Sequence, residues 1–298
     1  MPIKIFYLKI QQKKIKESVF MGATDVIKNA FTYPLIDKKK WMMVGVIFLI
    51  INVFGMIGAQ YTGWAWLTGI ITFILDLFII GYGVSVVGAT LKGGDEVPDF
   101  AFGKNFVDGI KAIVLYFIYY VIPLIITLIV AAVTGLFTNI GKATTAIANA
   151  PALNASAAAT GNTAGSLSAM FSSYSAVVPT TIQSNIMSAA TITAIVGIIL
   201  FIIFALFANV GLARMAETDS LKEGLRFGAV NKKLSSIGWG KYVAWYILLI
   251  IVLIVLGFVA SAIALIPYYI GAILSGLLVS SFIFLFNFAA IGKIYNEG

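Results

Sequence analysis

The side chains able to do chemistry in this 298-residue chain are few. It has no histidine and no cysteine, which excludes imidazole acid–base catalysis, thiolate chemistry, disulfides and the usual zinc and haem ligands. The remaining candidates gather in one stretch: Asp76, Tyr82 within Gly81-Tyr82-Gly83, and then Asp95, Glu96, Asp99 and Asp108. Asp76 stands alone in an apolar run, where a carboxylate can take up a proton or a cation on a path across a membrane. The plainer reading is a protonated or hydrogen-bonded aspartate that fastens helices together, with Gly69 and Gly83 allowing close approach. Both readings stay open. Asn52, Asn209 and Asn287 are weaker polar candidates and read as interhelical contacts.

Asp95, Glu96, Asp99 and Asp108 offer carboxylate oxygens of the kind that suit magnesium or calcium. Their spacing matches no EF-hand loop, however, and Pro98 disrupts any helical face, so a solvated acidic turn is the preferred reading. Neither a metal site nor a cofactor is expected. Catalytic constellations are also missing: there is no Ser-X-X-Lys, and Gly93-Gly94 is too short to cradle a phosphate. An intramembrane pair of acids would need a second carboxylate at the depth of Asp76. The chain is therefore expected not to be an enzyme.

The elements that must position these residues are membrane helices. The chain is 60% hydrophobic and 11% charged, with a mean hydropathy of +1.01, far beyond what a soluble core absorbs. Six apolar stretches, at about 41–59, 65–88, 112–136, 187–212, 242–266 and 268–292, are each long enough to cross a bilayer at about 20 residues. The fold class expected is an all-α membrane protein of six transmembrane helices, arranged as three hairpins with cytoplasmic amphipathic segments. Residues 1–21 form a basic tail and 22–298 a single six-helix domain. Asp76 costs about 2.5–3.5 kcal/mol at a helix centre, which its many Leu, Ile, Phe and Val neighbours offset. At 100° per residue, Ala65, Gly69, Thr72, Asp76 and Gly83 share a sector of about 60°, so the carboxylate is expected on a small-residue face turned toward other helices.

Lysine and arginine fix the orientation, because they are retained on the cytoplasmic side. Of the 20, residues 1–40 hold nine, 90–111 three, 213–241 six and the C-terminus one, leaving Lys142 alone on the other side. Both termini are expected in the cytoplasm, in a multi-pass protein of the cell membrane. Trp64 and Trp66, with Tyr268 and Tyr269, fit an outer aromatic belt. The net charge of +8 then points to anionic lipid at the inner face, and not to nucleic acid.

Met1–Lys16 carries five lysines among isolated apolar residues, so it reads as a basic tail and not as a signal peptide, with Met21 an alternative start. Residues 22–40 read as a short interfacial helix broken by Pro34, and Leu221, Leu225, Val230, Leu234 and Ile237 as a helix lying on the inner leaflet. The stretch 137–186 is rich in Ala, Ser and Thr and almost uncharged. It reads as an extracytoplasmic loop that buries too little to fold firmly alone, with a candidate glycosylation sequon at Asn154.

The chain also repeats itself. Gly83-Val84-Ser85-Val86-Val87-Gly88-Ala89-Thr90 parallels Gly211-Leu212-Ala213-Arg214-Met215-Ala216-Glu217-Thr218, Lys111 and Tyr116 parallel Lys241 and Tyr246, and Lys40-Trp41 opens the first pair of spans alike. The unit is an amphipathic segment, a lysine collar and two membrane helices. Such parallel repetition weighs against an inverted-repeat transporter.

On Ala30-Phe31-Thr32-Tyr33-Pro34, Gly81-Tyr82-Gly83, Gly94-Asp95-Glu96-Val97-Pro98-Asp99-Phe100, Phe106-Val107-Asp108-Gly109-Ile110-Lys111, Ala213-Arg214-Met215-Ala216 and Ile237-Gly238-Trp239-Gly240-Lys241-Tyr242, the chain resembles the mainly archaeal membrane family known as domain of unknown function 4013. The resemblance covers about 22–296 apart from the 137–186 stretch, and implies an α-helical bundle with no assigned activity. Where relatives tend to carry Arg after the Gly-Tyr turn, this chain has Ser85, which argues against anion binding there. A more distant similarity, to membrane domains attached to glycerophosphodiester phosphodiesterases, favours a non-enzymatic role. The expectation is a membrane or envelope component that organises anionic lipid or partners, either an envelope protein or further copies of itself. The alternative is a transporter or channel with Asp76 in its path.

Overall fold

The computed structural model describes residues 22–93, 96–150, 177–267 and 270–298, and every regular element among them is helical. Asp95, Asn154, Tyr268, Tyr269 and the basic tail lie outside the described residues. Six helices are apolar and long enough to cross a membrane: Lys38–Gln60, Thr62–Leu91, Phe102–Val133, Thr180–Thr218, Trp239–Ala264 and Ile270–Tyr295. They coincide with the six expected spans, and the chain is a multi-pass membrane protein.

The first helix, α1 (Ala23–Ile36), buries Val26, Ile27, Ala30, Tyr33 and Pro34 along one face. Pro34 lies in its last turn, and the helix ends before Asp37 as expected. A proline this close to the C-terminus removes only one late ladder donor, and the helix stops at Asp37, whose backbone is extended. Asp37 then caps α2 (Lys38–Gln60), its carboxylate accepting from the Lys40 N–H at 3.0 Å. A negative charge at that end offsets the three lysines that open the helix.

After a 3₁₀ turn at Thr62–Trp64 comes α3 (Ala65–Leu91), and then α4 (Phe102–Val133). Helix α4 begins ten residues before the expected span, so Asp108 is helical and 2% exposed. The reading of Asp108 as part of a solvated turn is thereby corrected. The rest of the chain forms α5 (Leu136–Ala148), α6 (Thr180–Thr218), the single turn α7 (Leu221–Gly224), α8 (Phe227–Ile237), α9 (Trp239–Ala264) and α10 (Ile270–Tyr295). A π-helical stretch, Ser275–Ser280, interrupts α10.

The chain forms two compact units, one of the described residues before Ile118 together with Leu206–Gly298, the other of Ile118–Ala205. In the first, α3 packs against α2 and α10, and α1 against α9 and α10. Phe31 meets Phe282 edge-on at 5.0 Å, and the Trp41 indole N–H donates to the Ser281 hydroxyl at 2.9 Å. Helices α3 and α4 approach backbone to backbone. A Cβ at Gly81 would strike the Asn105 carbonyl, and one at Gly109 the Leu77 carbonyl, so two glycines admit the crossing.

In the second unit, Tyr120 stacks on Phe201 at 6.1 Å and the Thr134 and Thr193 hydroxyls lie 3.5 Å apart. The expectation of a weakly folded stretch over 137–186 is corrected at both ends. Leu136–Ala148 is a helix whose Leu136, Ile140, Ala143 and Ile147 recur at three- and four-residue spacing, and the stretch from Thr180 is already α6. Residues 151–176 lie outside the described residues.

Two further expectations change. Helix α8 is not laid on a lipid surface by its apolar face, since Val230, Leu234 and Ile237 are at most 2% exposed and pack toward α9 and α10. Gly238, at φ +92°, turns the chain straight from α8 into α9, which folds that face back onto the protein. The small-residue sector around Asp76 is likewise not one packed face. A Cβ at Gly69 would meet nothing within 4 Å, whereas one at Gly83 would meet the Phe288 ring at 2.5 Å. The sector is packed only at its Gly83 end.

Gly81→Ala and Gly109→Ala should each lower stability by about 1–3 kcal/mol by overpacking the crossing, read as a fall in the thermal midpoint of detergent-purified protein. Gly69→Ala should leave the midpoint unchanged or slightly raised; equal losses at all three positions would show that the crossing is not the constraint.

Candidate functional site

The acidic turn becomes a strap because three helices seize three consecutive carbonyls. The Tyr33 hydroxyl of α1 donates to the Glu96 carbonyl at 3.0 Å, the Lys40 ammonium of α2 to Val97, and the Tyr82 hydroxyl of α3 to Pro98 at 2.9 Å. Val97 is 3% exposed, so its carbonyl needs a partner from the protein. Phe100 packs on Tyr82 at 5.2 Å and on Phe102 at 4.9 Å, which carries the strap into α4.

Beside the strap lies a cleft of about 740 Å³ at the lysine-bearing ends of the helices. Its floor is apolar and small, made by Val84, Gly88 and Ala89 of α3 with Met215 and Ala216 of α6, while Ser85 adds a hydroxyl. Its rim is charged and of mixed sign: Lys40, Lys92 and Lys104 face Glu96, Asp99, Asp108, Glu217 and Asp219. Carboxylates outnumber lysines there by five to three.

Asp108 is the buried charge of this site. Both of its oxygens are taken, one by Lys104 and the other by Lys111 at 3.2 Å, from one turn before and one turn after on α4. Lys111 also reaches Asp219 at 2.7 Å. Asp219, just past the end of α6, has a left-handed backbone with φ +52°, a position that glycine or asparagine usually takes. Its carboxyl is held below the usual carboxylate range, first by the hydrogen bond from Lys111. Behind Ser85 lies Asn105, fully buried, whose amide oxygen accepts from the Ser85 hydroxyl at 3.0 Å. The Asn105 amide nitrogen has no hydrogen-bond partner among the described residues.

A second charged cluster closes the far side of this end. Arg214 donates to Glu223 at 2.7 Å, Arg226 pairs with the other Glu223 oxygen at 2.8 Å, and the Tyr295 hydroxyl donates to Glu217 at 2.6 Å. The Glu223 carboxyl is held below its ordinary range by Arg226 first and Arg214 next.

Of the residues singled out in the sequence, Glu96, Asp99 and Asp108 line the cleft, and Tyr82 holds the strap that walls it. They do not converge on a single point. Asp99 goes to Lys40 at 2.9 Å, Asp108 to its own two lysines, and the Glu96 side chain makes no ion pair among the described residues. Asp76 is half-buried, not part of the cleft, and without a hydrogen bond or ion pair among the described residues. The pattern reading missed Tyr33, Ser85, Lys104, Asn105, Glu217 and Asp219. One signal was available: Lys104, Asp108 and Lys111 fall at four and three residues apart, a single helical face once the helix is started at Phe102.

A family model described as "Protein of unknown function (DUF4013)" matches residues 65–265. No curated protein and no solved structure matches the chain.

Because Asp108 has two lysines, Lys104→Met and Lys111→Met should each cost little, at most about 1 kcal/mol, while the double variant leaves a bare buried carboxylate at a cost of about 3–5 kcal/mol. A double-mutant cycle on the thermal midpoint reads this as strong coupling, and simple additivity would refute the shared-charge arrangement. Asp219→Asn should melt below the parent at pH 7. Since the folded carboxyl titrates below its unfolded value of about 3.9, that deficit should vanish as the pH falls below about 4, and a pH-independent deficit would refute the Lys111 bridge.

Proposed function

Since the chain belongs to the DUF4013 family, whose description assigns no activity, we infer its role from the site: a non-enzymatic component of the cell membrane that organises lipid at its cytoplasmic face. On this reading the six helices form three hairpins, α2 with α3, α4 with α6 and α9 with α10, with both termini and the lysine-bearing helix ends inside. The distribution of 19 of the 20 lysines and arginines on that side supports the orientation. Each hairpin is closed at that end by one bridge, Lys40 to Asp99, Lys111 to Asp219 and Lys241 to Glu297.

The observation that carries the proposal is the location of the cleft. It opens among the lysine-bearing helix ends, where Lys28, Lys38, Lys39, Lys92, Lys222 and Lys232 are exposed, and it does not include Asp76. Val26, Ala30, Val230 and Leu234 of α1 and α8 are buried in the protein itself, while Phe31, Leu35, Ile36 and Phe227 stay exposed beside these charges. Each lysine contributes about 1 kcal/mol near an anionic surface. The acid–base and nucleophilic groups that an enzyme requires are scarce, which supports the non-enzymatic reading.

A second reading rests on Asp76, which has no hydrogen-bond or ion-pair partner among the described residues and fits a transport path. The naturally cysteine-free chain separates the two. In proteoliposomes, spin-labelled anionic lipid should be motionally restricted around the protein in preference to a zwitterionic label, and the preference should fall with added salt. Thr72→Cys and Asp76→Cys should resist a membrane-impermeant thiol reagent. Absent salt-dependent selectivity, together with labelling at both cysteines, would replace lipid organisation with transport.

A further inference from the structure

Among the described residues, the ion pairs of the cleft leave out one lysine and two carboxylates. Lys40, Lys104 and the nearby Lys111 are committed to Asp99, Asp108 and Asp219. Lys92, Glu96 and Glu217 make no ion pair among the described residues, and Glu217 accepts a hydrogen bond from the Tyr295 hydroxyl. A simple anion would have to enter beside five carboxylates, and a simple cation would leave Lys92 unanswered. A ligand carrying an ammonium and an oxyanion a few ångströms apart meets both without breaking a bridge.

The cleft is also amphiphilic. Its floor of Gly88, Ala89, Met215 and Ala216 belongs to helices that span the membrane, so an apolar tail can leave the cleft along them. About 740 Å³ is the size of a small-molecule pocket.

We propose that this cleft binds a compact zwitterion, the amine-bearing head group of a phospholipid, with the phosphate on the Lys92 side and the ammonium on the Glu217 and Glu96 side. The proposal deepens the lipid-organising reading and rests on it. The exposed lysines gather anionic lipid around the protein unspecifically, whereas the cleft selects one zwitterionic molecule.

The test uses purified full-length protein with a single reporter cysteine on the cleft floor, Ser85→Cys, with Ala89→Cys as a second reporter should the first fold poorly. Short-chain phosphatidylethanolamine should slow alkylation of the reporter about fivefold at four times its dissociation constant, as single-site occupancy requires. Short-chain phosphatidylglycerol should not, and neither should glycerophosphoethanolamine lacking acyl chains. Lys92→Ala with Glu217→Gln should abolish the protection, while Thr144→Cys on α5 should react at one rate throughout.

Equal protection by phosphatidylglycerol, or none by either lipid with both reporters, overturns the proposal. Equal protection by the chain-free head group keeps the zwitterion site and overturns its assignment to lipid. Run in high salt, which strips the unspecific anionic shell, the assay fails independently of the broader reading, since anionic selectivity at low salt would survive a negative result here.

Discussion

Lysine at the end of a membrane helix must reach water or find a carboxylate, and this chain gives the same answer three times. Lys40 and Lys241, in the first turns of α2 and α9, and Lys111 within α4 each bond a carboxylate that follows a different apolar helix: Asp99 after α3, Glu297 after α10 and Asp219 after α6. The bridges differ in depth. Asp99 and Asp219 are largely exposed, so their bridges add little stability of their own. Lys241 and Glu297 are 16% and 11% exposed, so that pair is buried on both sides and neither member is dispensable. What the three bridges share is geometry: each ties a lysine of one apolar helix to a carboxylate just past the end of another.

The strap depends on the first of these ties. Lys40 joins Asp99 by its charge and Val97 by its hydrogen bond, and Tyr33 and Tyr82 take the carbonyls on either side. Three donors from three helices on three successive carbonyls hold residues 96–98 in place, although 96–101 have no secondary structure of their own. A polar turn becomes a rigid wall. The cleft keeps its shape because this wall and the Gly81–Gly109 crossing fix α3 against α4 at both ends of the same short interval.

The amphipathic segments show how one pattern can serve two environments. Apolar residues at helical spacing in α1 and α8 would suit a lipid surface, yet Val26, Ala30, Val230 and Leu234 are fully buried in the protein. What they leave outside is mixed: charge at Lys28 and Lys232, and apolar area at Phe31, Leu35, Ile36 and Phe227. The buried apolar residues hold α1 and α8 to α9 and α10.

The sequence alone determined the helical class, the six spans, the lysine collars and the repeat, because each is written in composition and in periods of three to four residues. It also picked out Glu96, Asp99, Asp108 and Tyr82 as residues of one locality. The tertiary structure decided what those residues do. Asp108 is a buried hub and not a solvated acid because α4 starts ten residues earlier than its apolar run, a start that hydrophobicity does not mark. Lys111 meets Asp219, and Tyr33 meets Glu96, across 108 and 63 residues of chain, and no local pattern encodes such partners. Asp76 was placed on a packed face by helical geometry, but periodicity gives only the direction of a side chain. What stands opposite it is set by the neighbouring helices, and at Gly69 nothing does.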